Sequence, residues 1–317
     1  MFETLTRWFQ GASLPAAPLM LRPLAQNPII RSEMLPGDDG ANINGPSLIR
    51  VPAWAPQPLG RYYLYFAHHH GSYIRLAFAD HLEGPWSIHR PGTLHLADVP
   101  ACHGHIASPD VHVDEQRREI RMYFHGPATK EKGQRSFVAV SKDGLRFSAS
   151  DEALGSFYLR AVPWAGQWIA MAKGGMMYRS ADGLTKFELL ASPAFPMKEP
   201  QAKSPGSVRH VALHLTGSTL FVYYTKIGDA PESILRSRID LNEDPAAWRA
   251  RSAELVARPD TPYEGADLPV RRSKSGAADG RENALRDPAI FVEDDRLYLV
   301  YTVAGESGIA IAELMAK

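Results

Sequence analysis

The sequence predicts an all-β chain folded as a five-bladed β-propeller, and three observations carry that expectation. Gly and Pro, 25 of each in 317 residues, punctuate the chain every few positions, and the apolar runs between them are short and rich in Tyr, Phe, Val and Ile. Those residue types suit pleated, half-buried strands. An aromatic run recurs five times, ending at Phe66, Phe124, Met171, Tyr224 and Tyr301, and three of the four intervals are about 50 residues, the span of one blade. Two copies also share a turn, Ser141-Lys142-Asp143-Gly144-Leu145 and Ser180-Ala181-Asp182-Gly183-Leu184. Asp-Gly between apolar runs marks a hairpin, because the turn needs a positive φ that Gly supplies cheaply.

Each copy reads as a Pro-led inner strand, an aromatic second strand and a third strand. The second strands fall at residues 62–66, 120–124, 168–171, 220–224 and 297–301, and the third at 74–79, 137–141, 176–180, 234–239 and 308–314. A β-sandwich with coincidental spacing is the rival reading. The last interval is long because a polar insertion runs from about Ala257 to Arg286. Copy five stops soon after its third strand, and an unpaired edge invites association. Residues 1–40 are therefore assigned to closing the ring, with the closing strand around Leu19 to Ile30, and residues 1–317 are expected to form a single domain.

Composition narrows the function. Lys plus Arg number 35 against 35 Asp plus Glu, with no basic block of the kind that phosphate backbones require, so nucleic acid is not an expected partner. No apolar run reaches the length of a membrane span, and none is expected. Cys102 is the sole cysteine, which excludes an intrachain disulfide. It has no visible oxyanion machinery beside it, so a catalytic thiol is not expected. The run Ala12 to Leu21, broken by Pro15 and Pro18, makes a poor secretory segment, and a cytoplasmic location is expected.

In a propeller, the starts of the inner strands converge on the axial channel. Those starts are polar here: Asn42-Ile43-Asn44-Gly45-Pro46-Ser47, His103-Gly104-His105-Ile106-Ala107-Ser108-Pro109-Asp110, Tyr158-Leu159-Arg160, Arg209-His210 and Arg286-Asp287-Pro288. Asp110, Asp287 and the insertion residue Glu264 form a candidate acid and base set, since glycosyl transfer needs one carboxylic acid and one carboxylate. The plainer reading is that an Asp beside Pro caps a turn. Arg160, Arg209 and Arg286 place positive charge suited to a substrate carboxylate, sulfate or phosphate, unless they pair with the acids or with backbone carbonyls. Twelve histidines include His68-His69-His70, His103, His105, His125 and His210. His105 or His210 is the candidate for a metal ligand, against the plainer reading of hydrogen-bonded loop histidines.

The Pro-led inner strands, with Ser108-Pro109-Asp110-Val111 and Arg286-Asp287-Pro288-Ala289-Ile290-Phe291, resemble the five-bladed propeller glycoside hydrolases of families 43, 32, 68 and 117. The similarity covers about residues 40 to 317. Tyr263-Glu264-Gly265-Ala266-Asp267-Leu268-Pro269 and Ala304-Gly305-Glu306-Ser307-Gly308-Ile309-Ala310 are similar to segments of an uncharacterised bacterial glycosyl hydrolase-like subgroup that brings no activity with it. In family 43 the resemblance implies a first-blade Asp as base, a second Asp that tunes, and a Glu as acid. This chain departs at the first, with Asn44 ahead of Gly45-Pro46-Ser47, and an amide cannot act as a base. Either Asp38 or Asp39 on the preceding loop replaces it, or Asp110 or Asp287 takes the role, or the chemistry is different. The resemblance also allows a channel-bound divalent cation such as calcium.

The leading expectation is a glycoside hydrolase acting on a short or terminal small saccharide, an anionic one included. Glu264 is the expected acid, Asp110 and Asp287 the base and orienting carboxylate, and Asn44, His105, Arg160, Arg209, His210 and Arg286 the substrate-holding residues. The rivals are a metal-dependent enzyme on the same propeller and a non-catalytic carbohydrate-binding propeller.

Overall fold

Alternating side chains of the second strands point to opposite neighbours, and this builds the ring. In Tyr62–Ala67 every residue is buried. Tyr63 and Tyr65 join Val111, Met122 and Phe124 of the next blade, while Tyr62, Leu64 and Phe66 join Val300 and Ile311 of the last. Period-two alternation thus serves two interfaces from one strand. Five apolar clusters result, one between each pair of adjacent blades.

The structure is a computed structural model that describes residues 19–190, 193–195 and 205–317. Five antiparallel sheets follow in chain order. Blade one holds Asn44–Arg50, Tyr62–Ala67, Tyr73–Ala79 and Ser87–His95. Blade two holds Ala107–Asp114, Glu119–Pro127 and Gln134–Ser141, with Ser148–Ala149 and Gly155–Ser156 on its outer edge. Blade three holds Arg160–Trp164, Gln167–Ala172, Met176–Ser180 and Glu188–Leu189, and blade four holds Val208–Thr216, Thr219–Lys226, Ile234–Asp240 and Arg251–Ala257. Blade five has Arg286–Glu293, Arg296–Thr302 and Gly308–Ala316, and its outer strand is Leu19–Pro23 from the other end of the chain. Leu19 pairs with Ala316 and Pro23 with Ala312, and Ile30–Arg31 extends the same edge against Ile309 and Gly308. The fold is the five-bladed propeller that the repeat predicts, and no helix of the described residues is long and apolar enough to cross a membrane.

The two Asp-Gly turns do more than reverse the chain. Tyr65 Oη of blade one donates to the Gly144 carbonyl of blade two at 2.8 Å, and Tyr123 Oη of blade two donates to the Gly183 carbonyl of blade three at 2.9 Å. A Cβ on Gly144 would lie 2.7 Å from the Tyr65 hydroxyl, so glycine is needed for approach as well as for its φ of 73°.

Candidate active site at the axial mouth

Four inner strands open with the same irregularity. The pairing register shifts between Asn44 and Ser47, Ala107 and Asp110, Val208 and Val211, and Arg286 and Ala289. Such a bulge turns side chains off the sheet plane at the end of a strand. Within it Gly45, Ser108 and Asp287 take positive φ of 58°, 51° and 46°, each directly before a proline. Tyr158, just ahead of the blade-three strand, does the same at 60°. A left-handed conformation in a non-glycine residue stores strain, and such positions concentrate at functional sites.

This alignment shows that Asp287 corresponds to Gly45 and Ser108. Asp110 corresponds to Ser47, two residues further along its strand. Ser47 Oγ accepts from the Val111 amide of the next blade at 2.9 Å, and Asp110 Oδ2 accepts from the Ala161 amide of the next blade at 3.1 Å. The two side chains perform the same stitch between neighbouring blades. Burial raises the Asp110 carboxyl, but His112 at 2.9 Å, Arg160 and the Ala161 amide outweigh it and hold its pKa below the usual value.

Asp287 is different. Burial pushes its carboxyl up to about 7, with Glu306 adding to the rise against Arg160 and Arg286. His210 Nδ1 of blade four stands 3.0 Å from its Oδ1. Burial drives the His210 pKa well below 6.5, and Arg209, Lys173, Arg286 and Arg160 push it the same way. Tyr158 packs edge-on to His210 at 4.9 Å and against His125 at 4.4 Å, with His105 beyond at 6.3 Å. Asn44, from blade one, donates to Asn42 Oδ1 at 2.9 Å. Four buried polar atoms from four blades lack a hydrogen-bond partner here: Asn44 Oδ1, His125 Nδ1, His210 Nδ1 and Asp287 Oδ2. The His210 and Asp287 contact is therefore one of proximity with poor hydrogen-bond angles.

Two of the three arginines are already engaged. Arg209 Nε donates to Glu232 Oε1 at 2.8 Å, and its Nη atoms hold the carbonyls of Gly276 and Lys274. Arg286 donates to Glu232 Oε2 at 2.9 Å, Glu282 Oε2 at 2.6 Å and Glu306 Oε1 at 3.4 Å. Glu306 also accepts from Asn42 Nδ2. These bonds run without a break from the insertion through blades four and five to blade one. Arg160 has no carboxylate partner among the described residues. Its Nη1 donates to the carbonyls of Ser108 at 3.0 Å and Leu159 at 3.3 Å.

Glu264 does not join the mouth. It is 3 % exposed and closes a capping box: the Asp260 and Thr261 amides and the Thr261 hydroxyl donate to Oε2, and Tyr301 Oη donates to Oε1 at 2.9 Å. With both oxygens taken and no contact to Asp110 or Asp287, the acid role expected of it is corrected to a structural one. The departure expected at Asn44 also shifts by one residue: the blade-one counterpart of Asp287 is Gly45, where a Cβ would lie 2.8 Å from the Ser108 Cα. No carboxylate fits there. Asp39 instead pairs with Arg75 at 3.0 Å.

A calcium ion prefers six to eight oxygen ligands. Tyr158 separates His210 from His125 and His105, four cations face His210, and the described residues contain no group of three His, Cys, Asp or Glu placed to hold a metal. The donor set does not suit a divalent cation. Burial raises the Cys102 thiol to about 12, in keeping with an inert side chain.

Sequence reasoning placed Tyr158 among the converging strand starts without giving it a role, and it missed Glu232, Glu306 and Lys173. A signal existed for the first two. Glu232-Ser233 and Glu306-Ser307 each stand immediately before a third strand, in copies four and five.

No family model matches the chain. Over 301 residues it is 38% identical to the uncharacterized protein R118 of Acanthamoeba polyphaga mimivirus, covering 87% of this chain and 85% of that one. The chain belongs to the family of that viral protein. Among solved structures, a family 43 β-xylosidase/α-arabinofuranosidase from a compost microbial metagenome, in complex with xylotriose, superposes with a TM-score of 0.57 at 14% identity, over 95% of this chain and 94% of that one. The α-L-arabinofuranosidase of Lactobacillus brevis gives 0.59 at 12% identity, over 90% and 92%. An exo-1,5-α-L-arabinanase from a bovine ruminal metagenomic library gives 0.56 at 11%, over 86% and 92%. The fold is thus that of the family 43 glycoside hydrolases.

Proposed function

We propose that this family member is a sugar-active enzyme, a glycoside hydrolase that takes a short or terminal saccharide at the axial mouth. The observation that carries the reading is Asp287: a buried carboxyl held near pKa 7, on a strained bulge at the channel axis, beside His210. A carboxyl that keeps its proton near neutral pH can protonate a departing glycosidic oxygen. Glu306 is the counterpart, a second buried carboxylate that acts on Asp287 and is anchored by Arg286 and Asn42. In our reading it holds the proton on Asp287 and faces the positive charge that develops at the sugar ring. The unpartnered Asn44 Oδ1 and His125 Nδ1 suit a ligand rich in hydroxyls, because a buried polar atom without a partner costs about 1–3 kcal/mol that a ligand hydroxyl recovers.

One observation favours the second reading, a propeller that binds saccharide without turning it over: Gly45 removes the blade-one carboxylate. Turnover of a glycoside panel that includes xylosides, arabinofuranosides and glycuronides separates the two. We expect at least one to be cleaved, and Asp287→Asn to lower its turnover by about 100-fold or more, the scale of a lost general acid. Binding with no cleavage anywhere in the panel would select the second reading.

A further inference from the structure

The strongest unexplained feature of the channel is Arg160. Its residue is 5 % exposed, yet no carboxylate of the described residues lies within ion-pair distance, unlike Arg75, Arg121, Arg209, Arg236 and Arg286 among the buried arginines. One nitrogen, Nη1, is spent on two backbone carbonyls, and neither Nε nor Nη2 hydrogen-bonds to a described residue. A buried guanidinium is costly unless it is paired. The two acids on which its charge acts do not complete it: Asp110 is turned to His112 and the Ala161 amide, and Asp287 to His210.

Arg160 also stands at a junction. Its charge acts on Asp287, His210, His125 and Tyr158 at the mouth, and on Asp110 below. On the other side it lines a cavity of about 250 Å³ along the axis, walled by Leu48, Val111, Leu213 and Ile290. Arg209 and Arg286, which a reading of the sequence would recruit for the same task, have no nitrogen to spare.

We propose that the ligand of this site is a saccharide bearing a carboxylate, a uronic acid or a residue of the same chemistry, and that Arg160 receives that carboxylate in the neck of the channel. This rests on the saccharide reading above and names its substrate class. The planar fork of arginine takes two carboxylate oxygens in parallel, and the two unengaged nitrogens Nε and Nη2 lie on one edge of it. The sugar ring would then sit toward Asn44, His125 and Asp287.

Titration calorimetry with D-glucuronate and D-galacturonate, against D-glucose and D-galactose, tests this on the full chain. At least one uronate should bind about tenfold or more tighter than its neutral parent, the worth of a charge-assisted pair. In Arg160→Gln that ratio should fall to about one, and Arg160→Lys should restore part of it because the charge returns without the fork. Should neither variant keep a cooperative melting transition, the wild-type ratio alone decides. Equal affinity for uronate and parent, no uronate binding, or equal protection by acetate or sulfate would each overturn the proposal. Uronate binding without cleavage of any glycuronide would leave it standing and sink only the hydrolytic reading.

Discussion

His210 Nδ1 and Asp287 Oδ1 meet 3.0 Å apart across the seam between blades four and five, with burial disfavouring charge on both. Their pH dependences have opposite sign. Asp287 has its folded pKa raised from 3.8 to about 7, so its contribution to stability is fully present below pH 3.8 and is lost as pH rises toward 7. His210 has its folded pKa lowered, so its contribution is present above pH 6.5 and is lost as pH falls below that value. Asp287→Asn removes the first of these. We expect the variant to melt higher than wild type at pH 8, with the difference vanishing near pH 3.5, as read by melting temperature against pH.

Glu232 is fully buried and holds Nε of both Arg209 and Arg286. Removing its charge leaves Arg209 without its carboxylate and Arg286 with only Glu282 and Glu306. Glu232→Gln should cost about 3–5 kcal/mol, the scale for breaking a buried pair on one side. Urea denaturation measures it, and a loss below 1 kcal/mol would show that Glu282 and Glu306 suffice.

Glu264→Gln should behave as a cap substitution. The amide oxygen can take the donors from Asp260 and Thr261, and the amide nitrogen can donate to Tyr301. Stability should fall by about 1 kcal/mol and turnover of any cleaved glycoside should stay within a few fold. A loss of about 100-fold with stability unchanged would return Glu264 to the chemistry.

Truncation before Leu24 should uncover the edge of Gly308–Ala316, which otherwise pairs with Leu19–Pro23. Exposed edges template association, so light scattering should report aggregation under conditions where the full chain is monodisperse.

Much of the fold was legible because its signals are local and repeated. All five aromatic runs lie inside second strands, and Met176–Ser180 was delimited to the residue. The site was less legible. Asp110 and Asp287 both adjoin a proline, which makes them look equivalent in sequence, but one follows it and the other precedes it. Only the register of the bulge tells them apart. Glu264 reads as functional because a long polar insertion announces function, while the Thr261 capping box at its start, a motif visible in sequence, accounts for the placement of the side chain. Glu232 and Glu306 share a local mark, a Glu-Ser pair immediately before a third strand, but their turn toward the axis depends on blade geometry, which that pair alone does not encode.

The shared sheet of blade five has a consequence for how the ring is made. Blades one to four can each pair their strands as they emerge during synthesis, since those pairings join neighbours in the chain. Leu19–Pro23 must wait for a partner whose last paired residue is Ala316, nearly the whole sequence later, and contacts of such long separation form slowly. Until then an N-terminal apolar strand and the flank of blade one, including Leu64 and Phe66, stay uncovered. Closure is therefore the step at which a nascent chain depends most on avoiding a neighbour's free edge, and a second copy offers the same strand to swap.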